Sequence, residues 1–365
     1  MLRRLVLVGA GRAHLTVLRA FAGSLVRGAE IVLVSEETET YDHAMAAGLL
    51  SGAYTLDEAR VDVAALADRA GARLLRGVAS RIDRDERVVV TGDERLPFDV
   101  CSLDTVSWPE GADLPGVVDH ALPLRPASAI AEVRASIDAC VAAAQRSIDC
   151  VVVGAGTTGV ETAFAIHRLL RKAQHGGIVT IVDGAGTILS DGSPCRDVAH
   201  RALERAGVCF ALGSRVVEVT GARVLLASGA SLPADLVLWS TSGAPPAAIA
   251  HGELPHDAHG RLLVDRSLRA RDGSPVWAAG ACASRDAQAG DRPTNEGALL
   301  EPSLRAALHG SVAPPARRRA SESCLLDTAD GRAIVEWGGV HARSRWGLWL
   351  KRRRDRRFVA ELARP

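Results

Sequence analysis

From Val151 to Glu161 the chain reads Val-Val-Val-Gly-Ala-Gly-Thr-Thr-Gly-Val-Glu. Three β-branched residues run into Gly154, Gly156 and Gly159, the spacing that closes a buried strand and opens a helix around a dinucleotide. Gly154 permits the tight turn, Gly156 lets the backbone approach a pyrophosphate, and Gly159 lets the helix pack against the strand. The first N–H groups of that helix lack intrahelical partners and face the phosphates. Asp183 ends the next apolar run, Ile178 to Val182. An acid there accepts hydrogen bonds from the adenosine ribose. A glycine turn in an ordinary α/β unit is the plainer alternative.

A second copy of this unit precedes it. Leu5 to Val8 leads into Gly9 and Gly11, with His14 where the third glycine belongs. Ala70-Gly71 and Gly77 match Ala206-Gly207 and Gly213 at an offset of 136. Arg87-Val88, Leu96-Pro97, Asp99 and Thr105 match Arg223-Val224, Leu232-Pro233, Asp235 and Thr241 at the same offset. One ungapped offset over this span points to two related nucleotide-binding units.

The 365 residues suffice for two or three full cores. A net charge of +1 gives no bias toward nucleic acid. Arginine outnumbers lysine 42 to 2, which reads as a GC-rich coding sequence. The seven cysteines are scattered, with no Cys-x-x-Cys, so zinc and thioredoxin-like motifs are absent and a reducing cytosol is expected. The apolar run after Arg3-Arg4 is too short for a signal peptide, and no run approaches a membrane span.

In chain order, Ile31 to Val34 reads as the second strand. It ends at Ser35 rather than an acid, with Glu36 next as a ribose ligand or a solvated surface acid. Tyr41 to Tyr54 holds both tyrosines of the chain and reads as a site wall or a packed loop. A helix is expected over 57–70, a hairpin over 87–100 turning at Gly92-Asp93 and a helix over 127–145. Further on, a strand is expected over 275–279 and a helix over 295–308 that Pro302 kinks or starts.

This layout resembles the two-dinucleotide FAD/NAD(P)H oxidoreductase superfamily (the pyridine nucleotide-disulfide oxidoreductase fold). Within it, Gly9-Ala-Gly-Arg-Ala-His-Leu15 and the tail Arg343 to Phe358 are most similar to type II NADH dehydrogenase-like and selenide-water-dikinase-associated flavoproteins. The resemblance implies an α/β fold with two Rossmann-like domains of the three-layer ββα type. An FAD domain would span 1–124 and 244–312, an inserted NAD(P)H domain 125–243, and a short tail region 313–365. It places FAD at Gly9, Gly11, His14, Glu36, Gly280 and Ala281. It places NADH, rather than NADPH, at Gly154, Gly156, Gly159 and Asp183, and it makes Glu161 the catalytic glutamate near the nicotinamide. Three positions depart: Ala281 stands where an aspartate binds the ribityl chain, Ser35 is not acidic, and Pro293 to Glu296 is unusual before Gly297. Loosened flavin binding is the expected consequence.

Tyr41 to Ala53 lacks the Cys-x-x-x-x-Cys of the disulfide reductases. The resemblance therefore implies an NAD(P)H dehydrogenase that passes electrons from flavin to a quinone or another small acceptor, with no metal. A degenerate, non-catalytic nucleotide-binding sensor or partner subunit is the alternative. A cytoplasmic protein is expected, peripheral on the inner membrane face if the tail docks there. Arg343 to Arg357 holds eight basic residues and one acid, which suits an anionic membrane. Against this, Trp346, Trp349 and Leu350 share one face while Phe358 and Leu362 lie on another, which suits a tail folded onto the protein. Salt would reverse membrane docking and leave a folded tail in place.

Overall fold

The computed structural model describes residues 2–105, 108–174, 176–189, 193–244, 246–250, 253–285, 296–311, 324–337 and 340–364. Two five-stranded parallel sheets organise it. The first runs Val276–Ala278, Val100–Leu103, Arg3–Val8, Ala29–Ser35, Ala72–Arg76. The second runs Leu122–Pro123, Leu236–Trp239, Cys150–Val153, Val179–Asp183, Cys209–Leu212. Parallel strands are covered on both faces, which is why these segments are apolar runs rather than alternating ones. Strand Val276–Ala278 joins the first sheet only after the whole second sheet has been threaded, so one unit is inserted in the other.

Each unit carries a three-stranded antiparallel sheet: Ala79–Asp83, Val88–Thr91 and Glu94–Pro97 in the first, Val216–Val219, Arg223–Leu226 and Ser231–Pro233 in the second. These are the segments related by the 136-residue offset. Both carry a register irregularity, between Ala79 and Arg81 and between Val216 and Glu218, one residue apart on that offset. The hairpin turns at Gly92-Asp93 as expected.

Some helices differ from expectation. Residues 57–70 split into a helix Leu56–Ala59, a strand Arg60–Asp62 and a helix Val63–Arg69. Thr55 and Glu58 form a capping box on the first piece, and Asp62 caps the second by accepting from Ala65 N–H at 2.8 Å. Between them Arg60–Asp62 pairs with Glu39–Tyr41, so pairing outweighs helical periodicity there. Residues 127–129 form a 3₁₀ turn ahead of the helix Ile130–Ala143. Helix Glu296–His309 contains Pro302 without ending there. It packs on the first glycine-loop helix, Arg12–Gly23, where a side chain at Gly297 would lie 2.7 Å from Ala13 O. Asn295 and the other residues of the 293–295 stretch lie outside the described residues, as does 312–323.

The tail is a three-stranded antiparallel sheet, Leu325–Asp327, Ala333–Trp337 and Val340–Ser344, followed by the helix Arg345–Ala363. The helix folds back on the protein. Its buried stripe is Gly347, Leu348, Lys351, Asp355, Val359 and Leu362, while Trp346 and Trp349 are about half exposed. The apolar pattern misses this stripe because two of its members are charged. No helix among the described residues is long and apolar enough to cross a membrane. The cysteines also differ from expectation: Cys195 and Cys324 form a disulfide between the start of helix Arg196–Ala206 and the tail sheet. They are separated by 129 residues in sequence, so no local spacing announces the pair.

Candidate functional site

The second glycine loop fits a dinucleotide. Gly154 has φ +106°, and a side chain there would meet Ser240 O. A methyl on Gly159 would overlap the Gly154 carbonyl oxygen, so glycine lets helix Thr157–Lys172 seat on its strand. Gly156 differs: φ is −69°, and none of the described residues lies within 4 Å of an added Cβ. That open space is the cradle a diphosphate requires. The Asp183 carboxylate accepts from Ala155 N–H at 2.6 Å and Ala185 N–H at 2.7 Å, which fixes it at the end of its strand beside the glycine loop. Sequence reasoning missed a neighbour, since Arg215 packs against Gly184 from a different segment.

The first loop is built differently. Gly9 has φ +93° and lies against the backbone of Thr105. His14 is fully buried, with Nδ1 2.6 Å from Gly9 O and Nε2 2.8 Å from Ser102 Oγ. Burial lowers its pKa to about 4 and keeps it neutral. Its ring thus supports the loop from behind. Asp104 comes from the end of strand Val100–Leu103 and accepts from Ala13 N–H at 2.7 Å and His14 N–H at 3.0 Å. Glu36 is exposed beyond the second strand. Gly280, φ +62°, and Ala281 form a 3₁₀ turn whose Gly280 N–H donates to Glu296. Arg285 lies 3.5 Å from the same Glu296 carboxylate. The carboxylate missing at 281 therefore has a neighbour in space that the sequence does not reveal.

Tyr41 to Tyr54 bridges the two loops. His43 Nε2 lies 3.4 Å from Thr158 Oγ1, and its Nδ1 is buried with no hydrogen-bond partner among the described residues. Burial, helped by Arg125, lowers its pKa to about 3. A buried ring nitrogen without a partner beside the second loop is a polar group a bound ligand could satisfy.

Glu161 is the centre of a buried charge cluster. Its Oε1 accepts from Asp327 N–H at 2.7 Å and lies 3.6 Å from Lys351 Nζ. Lys351 also reaches Asp355 and Ala44 O, each at 3.2 Å, and Tyr54 donates to Asp355 at 2.8 Å. Glu161, Asp327, Lys351 and Asp355 are all at most 7% exposed. Burial pushes the Glu161 pKa up to about 7, against the opposing pull of Lys351. Burial alone would lower Lys351, but Glu161 and Asp355 outweigh it and hold the ammonium above its ordinary range. The tail thus places a permanent cation against a carboxyl that titrates near neutrality. Sequence reasoning named Glu161 but not Lys351, Asp327 or Asp104. Lys351 had one signal: it is one of two lysines in a chain otherwise committed to arginine. Among the described residues no cluster suits a metal ion.

Comparison with known proteins agrees with this architecture. A mitochondrial internal alternative NAD(P)H-ubiquinone oxidoreductase A1 of Arabidopsis thaliana is 28% identical over 146 residues, 38% of this chain and 28% of that protein. The epsilon subunit of an NADH-dependent phenylglyoxylate dehydrogenase from Aromatoleum evansii is 31% identical over 235 residues, 63% of this chain and 49% of that protein. The chain thus spans at most about half of these relatives. The structure of NDH2 from Plasmodium falciparum in complex with NADH superposes with a TM-score of 0.78 at 12% identity, over 99% of this chain and 98% of that one. Residues 3–299 match the profile of the pyridine nucleotide-disulphide oxidoreductases, and the chain belongs to that family.

Proposed function

We propose that the protein is an NADH dehydrogenase that uses FAD to reduce a quinone. The observation that carries this reading is the position of Glu161, a buried carboxyl on the helix opened by the glycine loop, 3.6 Å from Lys351 Nζ and raised by burial to about 7. Bound NADH and FAD supply the hydride chemistry, and the chain positions them. Gly156 leaves room for the NADH diphosphate, and Asp183 holds the ribose. Glu161, neutral below about pH 7, would hold at Oε2 the proton that a reduced quinone oxygen needs, since Oε1 faces Asp327 N–H and Lys351, and Lys351 stabilises the carboxylate left behind. A quinone acceptor also agrees with the ubiquinone oxidoreductase among the relatives.

The test is steady-state reduction of a short-chain quinone by NADH across pH. Quinone turnover should fall as pH rises through about 7, because the proton-bearing form of Glu161 is lost there. Glu161→Gln should slow quinone reduction by roughly 10²–10⁴-fold and flatten the profile, while NADH still bleaches the flavin. A Gln variant with the wild-type profile removes Glu161 from proton delivery. No quinone turnover at any pH removes the dehydrogenase reading.

Nucleotide choice follows from the other end of the site. Asp183 repels a 2′-phosphate, and Arg215 partly offsets it. NADH is expected to bind more tightly than NADPH, with Arg215→Ala widening the gap. Tighter NADPH binding in a fluorescence titration would remove Asp183 from this role.

A second reading has its own support. The Asp104 carboxylate sits at the first helix N-terminus, and one relative is named as a subunit of a larger enzyme. A nucleotide-binding partner subunit would take up NADH but no flavin, which absorbance of the purified protein distinguishes.

A further inference from the structure

Gly11 and Gly156 occupy equivalent places in the two loops, with nearly equal φ of −66° and −69°. Neither is glycine for the sake of its backbone angle. Around Gly156 an added Cβ meets nothing, whereas at Gly11 it would overlap the Asp104 carboxylate. Asp104 therefore fills the space that the second loop keeps open. Its Oδ2 takes the N–H groups of Ala13 and His14, and its Oδ1 lies 2.7 Å from where a Gly280 Cβ would stand. It caps the helix from a distant strand.

The internal repeat supplies the control. At the 136-residue offset Asp104 corresponds to Ser240, whose hydroxyl is buried without a partner among the described residues. Among the described residues no side chain takes the first N–H groups of the second helix, whereas the first helix has two of them bound to a carboxylate. A dinucleotide diphosphate is anionic and seeks the same groups. Two anions on one helix end, away from water, repel.

We propose that Asp104 is a proton-operated gate on the first nucleotide site, so that FAD binds with uptake of one proton from solvent onto the Asp104 carboxylate. The neutral carboxyl holds the Ala13 and His14 N–H groups less strongly and no longer opposes the charge of the diphosphate. This rests on the flavin reading above and adds its control. The surroundings fit. The His14 ring is neutral and turned to Gly9 and Ser102. The Cys282 thiol is pushed up to about 12, by burial and then by Asp104, and stays protonated. Glu296 is held at Gly280 N–H and Arg285, and Arg12 is committed to Asp42 at 2.6 Å. Among the described residues no cation pairs with Asp104, and burial raises its pKa to about 6 despite the two N–H bonds.

The sign follows directly. Binding favours the neutral form, so affinity is high below about pH 6 and falls roughly tenfold per pH unit above it. The experiment strips flavin from the full chain and titrates FAD by fluorescence at about pH 5 and about pH 8. It compares wild type, Asp104→Asn and Asp104→Ala, with NADH titration as the check that each variant is folded. Wild type should bind FAD roughly 100-fold more weakly at the higher pH. Both variants should bind tightly at both pH values. Wild-type binding without pH dependence, or pH dependence that survives Asp104→Asn, overturns the gate and leaves the flavin reading intact. No FAD uptake by any of the three while NADH still binds overturns the flavin reading, and the gate with it.

Discussion

Replacing Lys351 with methionine should cost the folded protein about 3–5 kcal/mol above neutral pH, because breaking a buried ion pair leaves uncompensated charge behind. Methionine keeps the length and the apolar stem, so packing is largely preserved and the loss is electrostatic. What remains is Glu161, Asp327 and Asp355 enclosed together. Burial already holds Glu161 and Asp327 above the usual carboxylate range, and loss of the ammonium pushes both further up. A group whose folded pKa lies above its unfolded value contributes nothing unfavourable at low pH, where both states are protonated. It destabilises progressively as pH rises from the unfolded value to the folded one, and by a constant amount above that. The deficit should therefore be small near pH 5 and largest above about pH 7. Denaturant unfolding of wild type and Lys351→Met at the two pH values measures it. A deficit independent of pH would show that the cluster is held by packing and not by charge. Domains of this kind are stable by only about 5–15 kcal/mol, so this one side chain decides much of the margin.

The second large effect separates two glycines of one loop. Gly159→Ala drives a methyl into the Gly154 carbonyl, a backbone atom that cannot rotate away. Helix Thr157–Lys172 must lift off its strand, at a cost of about 1–3 kcal/mol or more. NADH binding should fall with it, since the helix N-terminus moves. Gly156→Ala should leave the melting temperature unchanged, because its methyl meets open space, and yet weaken NADH binding at least tenfold by displacing the diphosphate. Thermal melts and NADH titrations of both variants check this. A Gly156→Ala protein that binds NADH normally would mean the diphosphate lies elsewhere.

The sequence made the two units legible because their signals are local. Three valines before Gly154 form a buried parallel strand, and the 136-residue offset marks two related sheets that prove to share even their bulges. The glycine loops and Asp183 fall where expected for the same reason. The cluster around Glu161 was not legible, since it forms between residues such as Asp327 and Glu161, 166 positions apart. Hydrophobic periodicity fails there because the tail helix buries a lysine and an aspartate. Asp104 was hidden for a related reason. The offset aligned Thr105 with Thr241, but the mismatch one residue earlier carried the difference between an open helix end and a capped one. Helix 57–70 failed because the pairing of Arg60–Asp62 with Glu39–Tyr41 is invisible to a local window.

The insertion of one unit within the other sets an order on synthesis. A ribosome delivers Trp239 before it reaches Val276, so every strand of the second sheet has emerged while the first still lacks an edge. The nascent host unit must wait with Val100–Leu103 unpaired on one side, although most of its chain was made first. Helix Glu296–His309 and the tail arrive later still, so Glu161 gains its lysine only after both nucleotide loops are in place. The second unit's strands are all made before the host sheet's edge strand, and Lys351 and Asp355 of the charged cluster are among the last residues to be synthesised.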